Sequence, residues 1–351
     1  MALKNRFCAV ILACLAFGQA LAENLTLQPN APERYVVVKG DTLWDISARF
    51  LRDPWLWPEI WQVNPDIANP HLIYPGDTVV LTYDANGQPH LTLQRGEGIA
   101  GATVKLSPTA RGEPVDSAIP PIPLDVIQQF LKKAGVISKA DYDRLPYIVS
   151  FQDDRLAAGT NDTAYVRGVS DASHTKFAVI HLGQAYQNPG AKAGDILGYE
   201  TIEAATVALD KVGDPATVRV TSVERELLKG DRIMPLSDEP LKTFVPHAAP
   251  DGVEGNILAV IDGISRIAQH QIVALNVGTA QGIEPGHVFA VYQAGRKVHD
   301  NFSQKRGGED VTLPDERAGL VIVFRTFEKI SYALVTRSDR DMRVFDKVTK
   351  P

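Results

Sequence analysis

The sequence predicts an α+β multidomain protein: a small βααβ module at residues 35–82, then a β-rich region of two related small β-barrel-like units. Three observations along the 351 residues predict it. All four tryptophans, Trp44, Trp55, Trp57 and Trp61, crowd into the first module, which makes its end the sharpest compositional boundary in the chain. From Tyr147 onward the texture changes to short alternating runs punctuated by glycine and proline, the signature of strands and turns. Within that region a phrase recurs: Thr175–His181 leads to Gly194–Tyr199 much as Gln271–Val277 leads to Gly286–Tyr292.

Residues 1–22 read as a secretory signal peptide. Lys4 and Arg6 form a basic start, Phe7–Phe17 an apolar run too short for a bilayer span, and Ala20-Leu21-Ala22 a small-residue cleavage site before Glu23. Retention as a membrane anchor is one alternative, and lipidation of Cys14 is a second, since Ile11-Leu12-Ala13-Cys14 resembles a lipobox. Both cysteines lie in this segment, so the mature chain is expected to hold no disulfide and no thiolate nucleophile. Losing Lys4 and Arg6 takes the formal net charge from -6 to -8, a poor balance for nucleic acid. No later apolar run approaches the roughly 18 residues of a transmembrane segment.

Tyr35–Val38 is a short strand, and Lys39-Gly40-Asp41 a turn with glycine at the tight bend. Thr42–Asp45 caps a helix that presents Leu43, Ile46 and Phe50 to a core, and Asp53-Pro54 stops it. Pro58 suits the first position of a second helix that runs to Val63. Tyr74-Pro75-Gly76-Asp77 predicts a type II turn into a strand at Thr78–Leu81. Trp61 is expected in the core, whereas Trp55 and Trp57 are either core filling or an added contact surface.

Those phrases, Tyr35–Ser47, Asn64-Pro65 and Leu72–Asp77, resemble the LysM family. The resemblance implies a βααβ fold that binds N-acetylglucosamine-containing glycans such as peptidoglycan, in a groove between the loop after the first strand and the loop before the second. Carried over by position, it implies Gly40, Asp41, Thr42, Leu43 and Trp44 on one wall and Asn64, Pro65, Ile67, Ile73 and Tyr74 on the other. Such a groove suits the chemistry, with backbone donors and acceptors for N-acetyl amides and an apolar shelf for sugar faces.

Asp84–Pro123 reads as an extended connector, rich in Gly, Pro, Ser and Thr and ending in Ile119-Pro120-Pro121-Ile122-Pro123. Residues 124–245 then supply short helices and the first β-unit. Asp125–Gly135 predicts an amphipathic helix stopped by Gly135, and Ser138–Asp141 a capped turn. Pro246–Gly255 is expected to link the units, and 255–351 to form the second, with Arg296–Pro314 as an inserted hairpin loop. The recurrence continues from Ala216–Val223 to Ala318–Phe324 and closes on Gly230–Ile233 and Phe345–Val348.

The C-terminal unit is similar to the C-terminal domain of flagellar assembly protein T, on Asn276-Val277-Gly278 and Gly282–Gly286. The order of segments resembles that of type IV pilus secretin-associated LysM proteins. That resemblance implies a periplasmic linker between peptidoglycan and an outer-membrane secretin ring. A peptidoglycan hydrolase and a passive wall-associated protein are the rival readings. The eight histidines are scattered, with no His-x-His or His-Glu-x-x-His, and no Gly-x-Ser-x-Gly elbow occurs. No catalytic residue, metal site or cofactor is expected.

Overall fold

A computed structural model describes residues 25–61, 73–95, 119–120, 122–123, 127, 134–192, 194–236, 244–261, 266–302 and 308–351. They belong to two units, residues 1–118 and 119–351.

In the first unit, β1 (Arg34–Val36) pairs antiparallel with β2 (Thr78–Tyr83), Tyr35 opposite Val79. Between them run α1 (Leu43–Phe50), a 3-10 turn at Pro54–Leu56 and α2 (Trp57–Trp61). Thr42 caps α1: its Oγ1 accepts the Asp45 N–H at 3.1 Å and donates to Asp45 Oδ2 at 2.7 Å. Leu43, Ile46 and Phe50 are fully buried, as helical spacing requires. All four tryptophans are also buried, which assigns Trp55 and Trp57 to the core. The expected connector begins instead as a third strand, β3 (Pro89–Gln94), paired with β2 through a turn in which Asp84 Oδ1 accepts the N–H groups of Asn86 and Gln88. Leu91 on β3 has no exposure, so this strand completes the module's core.

The connector's far end belongs to the second unit, where Ile119 and Ile122 are buried. The helix expected at Asp125–Gly135 lies largely outside the described residues. Gly135 does not stop a helix: it sits in β4 (Ala134–Ile137), opposite Thr201, whose Oγ1 would lie 2.7 Å from any Cβ added there. Ser138 caps α3 (Lys139–Arg144) as expected.

Six strands then close a barrel: β5 (Tyr147–Phe151), β6 (Thr163–Arg167), β7 (Lys176–Gln187), β8 (Ile196–Lys211), β9 (Ala216–Val223) and β10 (Arg232–Pro235). After β11 (His247–Ala248) a second barrel uses β12 (Glu254–Ile261), β14 (Ile272–Leu275), β15 (His287–Gln293), β18 (Glu316–Thr326), β19 (Ser331–Ser338) and β21 (Lys347–Thr349). Its side pairs are β13 (Arg266–Ile267) with β20 (Met342–Arg343), and β16 (Lys297–Asp300) with β17 (Glu309–Thr312). The β16–β17 ribbon is the expected inserted hairpin. The segment expected to link the units is not free, because β11 pairs in parallel with β15.

The barrels share one connectivity. In each, the first strand pairs with the second and sixth, the third with the fourth and sixth, and the fifth with the second and fourth. Corner hydrogen bonds coincide as well. Ala204 O accepts the N–H groups of Glu224 and Arg225, as Ala318 O accepts those of Asp339 and Arg340. Ile148 donates its N–H to Asp231 O and accepts the Gly230 N–H, as Ile257 donates to Asp346 O and accepts the Phe345 N–H. The units are therefore related, but the recurrence read from sequence is one strand out of step over most of its length: β7 corresponds to β15, β8 to β18 and β9 to β19. The closing phrases at Asp231 and Asp346 do correspond. Alternation alone carries no strand identity, which is why the slip went unmarked in the sequence.

Candidate functional site

The two loops that flank α1 and β2 are built alike. At Val38–Asp41, Gly40 adopts φ +100°, and Asp41 Oδ2 accepts the N–H of Val38 and the hydroxyl of Tyr35, both at 2.9 Å. At Tyr74–Asp77, Gly76 adopts φ +95° and Asp77 Oδ2 accepts the Tyr74 N–H at 3.0 Å. Only glycine takes such φ values without a Cβ penalty. Two backbone bonds of 2.8 Å staple the loops side by side, Val37 N–H to Asp77 O and Gly76 N–H to Val37 O. Burial, followed by the hydrogen bond and charge of Asp41, raises the Tyr35 phenol, while Arg49 stacks 4.4 Å from its ring. Arg95 lies over the Tyr74 ring and 3.5 Å from Asp77.

The loops thus bring Gly40, Asp41, Thr42, Ile73 and Tyr74 into one neighbourhood. Gly40 is exposed, and Asp41 and Tyr74 are half-buried. Leu43 and Ile73 have no exposure and Trp44 has 2%, so their side chains form core and not a sugar shelf. Thr42 is buried and its hydroxyl is committed to the cap. What this wall can offer a glycan is backbone: the N–H groups of the first turn of α1 find no acceptor within the helix. Apolar surface beside the loop comes from Val36 and Val38, half exposed on either side of buried Val37. Strand alternation over Tyr35–Val38 was the available signal for them. Asn64, Pro65 and Ile67 lie outside the described residues.

The LysM domain family model matches residues 35–82. Residues 35–82 are a LysM domain. This LysM domain implies binding of peptidoglycan or a related carbohydrate, and with it association with the cell wall. The uncharacterized protein YqbP of Bacillus subtilis (strain 168) is 42% identical over 62 residues, covering 15% of this chain. The match takes in only 28% of that relative's length. No helix among the described residues is long and apolar enough to cross a membrane.

Beyond the LysM domain, the fold assembles one group that the sequence scatters. His247 on β11, and Glu284 and His287 at the entry to β15, place one potential metal-ligand atom each within 4.8 Å of one another. His247 is poised as a ligand, since its Nδ1 lies 2.9 Å from Val245 O and so leaves Nε2 the free lone pair. His287 is not. Its Nδ1 accepts the Glu284 N–H at 3.1 Å, which places the ring proton on Nε2. His247 and Glu284 alone fall short of the three protein ligands of a catalytic or the four of a structural zinc site.

Proposed function

We propose that this is an exported, non-catalytic envelope protein that holds peptidoglycan through its LysM domain and anchors an outer-membrane secretin ring of the type IV pilus class. The observation that carries the wall-binding half is the LysM domain at residues 35–82. Export to the periplasm rests on the basic start, apolar run and small-residue site of residues 1–22.

The ring-binding half rests on the resemblance in segment order and on one contrast between the barrels. Barrel one separates β7 from β8 by only the eight residues 188–195, while barrel two carries the β16–β17 ribbon between the equivalent strands β15 and β18. A two-stranded ribbon has no core of its own, and this one presents Phe302 at 96% exposure. An exposed aromatic on an inserted arm suits anchoring in a partner's pocket. Absence of catalysis is proposed because the sequence holds no cysteine after residue 22 and because apolar side chains fill both barrels.

Two assays separate the halves. Purified protein should co-sediment with peptidoglycan sacculi without releasing muropeptides, and Val38→Glu, at an exposed position, should weaken sedimentation. Reproducible release would make the protein a hydrolase. From detergent-solubilised envelopes the intact chain should retain the secretin, identified by mass, and Phe302→Ser should lose it while still pelleting with sacculi. Failure of the intact chain to retain the secretin leaves a passive wall-associated protein.

A further inference from the structure

One four-residue turn recurs through both units: the third residue is left-handed and the side chain of the fourth accepts the N–H of the first. Seven such turns occur among the described residues. In five the acceptor is an aspartate, and at Ala268–Gln271 it is an amide oxygen. Neither loses its lone pair to a proton near neutral pH. At Glu284–His287 the acceptor is an imidazole nitrogen, which does.

We infer that the Glu284–His287 turn is an acid-released clasp on β11, the strand that leads from the first barrel into the second. While His287 is neutral, Nδ1 takes the Glu284 N–H and the turn is closed. When a proton from solvent binds Nδ1, that nitrogen becomes a donor facing another donor 3.1 Å away, and the ring must turn aside. The movement reaches β11 because the turn holds it. His247 N–H bonds to Gly286 O at 3.0 Å and Ala249 N–H to Val288 O at 3.1 Å. The packing leaves no slack: a Cβ at Gly286 would lie 2.6 Å from Val245 O and 3.0 Å from the His247 ring.

The groups that bear on His287 set the direction. His247, on β11, places its ring centroid 4.3 Å away and repels a second cation. The Glu284 carboxylate favours protonation but is 71% exposed, where solvent screens it. From β18 the turn meets the backbone carbonyl of Val323, which accepts Gly286 N–H. Burial first, then His247, holds His287 below its ordinary value of 6.5. A folded value below the unfolded one means that the clasp's stability is complete above about pH 6.5 and is lost as pH falls through the folded value.

Hydrogen–deuterium exchange of the full chain at about pH 7.5 and about pH 5, corrected for intrinsic rates, tests this. Peptides spanning 244–250 and 284–290 should lose protection several-fold at the lower pH, while a peptide over the aspartate turn 343–349 stays protected. His287→Gln, which keeps an acceptor as Gln271 does, should hold 244–250 protected at both values. Unchanged protection in the natural chain, or the same acid loss in His287→Gln, overturns the clasp. Should that variant fail to fold, an NMR titration of the His287 ring in the natural chain decides: its midpoint must coincide with the loss of protection of Ala249 N–H, and separate midpoints refute it.

Discussion

Set side by side, the barrel of residues 147–235 and the barrel of residues 254–349 agree in strand pairing and corner hydrogen bonds, yet differ in the side chains at equivalent places. Ala205 in one is Gly319 in the other, beside the paired carbonyls of Ala204 and Ala318. Asp231 corresponds to Asp346 and Gly230 to Phe345. The comparison teaches that backbone bonds at the corners, together with inward aliphatic residues, suffice to define this barrel. Each remaining side chain is fixed by its local surroundings, so exchanging residues between twins measures those surroundings.

The largest effect is expected at Gly319. A Cβ there would lie 2.1 Å from Arg337 O and 2.2 Å from the terminal methyl of Met342, although its twin position already carries alanine. Met342 is fully buried, and the shorter Leu227 stands in its place in the first barrel. Gly319→Ala should therefore cost about 3 kcal/mol by denaturant unfolding, at the upper end of overpacking penalties. Adding Met342→Leu should restore part of the loss. Ala205→Gly in the first barrel should cost about 1 kcal/mol, from chain entropy and one lost methyl.

Next come the aspartates. Each accepts a backbone N–H at 2.7 Å, from Leu228 or from Arg343. Asp231 also lies 2.9 Å from His181 Nε2, a close contact without hydrogen-bond geometry. Among the described residues no histidine pairs with Asp346, and burial raises its carboxyl above the usual range against the opposing pull of Arg343. Asp231→Asn should cost about 1–2 kcal/mol at neutral pH, since a neutral amide weakens the bond from the Leu228 N–H and disturbs the close contact with His181 Nε2. Asp346→Asn keeps an acceptor and removes a buried charge, so stability should hold or rise slightly. A carboxyl raised in the folded state binds its proton there first. The natural second barrel should gain stability as pH falls through that folded value, and Asp346→Asn should lose this gain.

How much of this was legible in the sequence differs between the units. In the LysM domain the turn, cap and helix spacing are local, so Gly40, Thr42 and Gly76 declare their roles within a few residues. β3 was present in Asn86-Gly87 between alternating runs, but the composition of the following stretch masked it. The groove residues were legible only as backbone positions. Nothing local reveals that the side chains of Leu43, Trp44 and Ile73 turn inward, because that depends on the sheet they pack against. In the barrels, strands were legible and their partners were not: an alternating run fits many neighbours, and closure is settled by pairings over long separations. The contact of His247 with His287 is of that kind, arising from a parallel pairing that no spacing announces.

The smallest effect concerns the third place of the closing turn, where Gly230 has φ +96° and Phe345 has φ +76°. A side chain in the left-handed region costs about 1 kcal/mol, and Phe345, more than half exposed, recovers little of that by burial. Phe345→Gly should therefore stabilise the second barrel by about 0.5 kcal/mol once glycine's added freedom in the unfolded chain is counted. Gly230→Ala should destabilise the first by about 1 kcal/mol, with no Cβ contact within 4 Å to add to the conformational cost. Thermal unfolding of both variants reads the pair. Opposite signs would show that the turn's φ requirement is the same in both barrels. If Phe345→Gly destabilises instead, the phenyl ring holds a contact strong enough to outweigh its backbone, and the twins differ at this corner in more than side-chain identity.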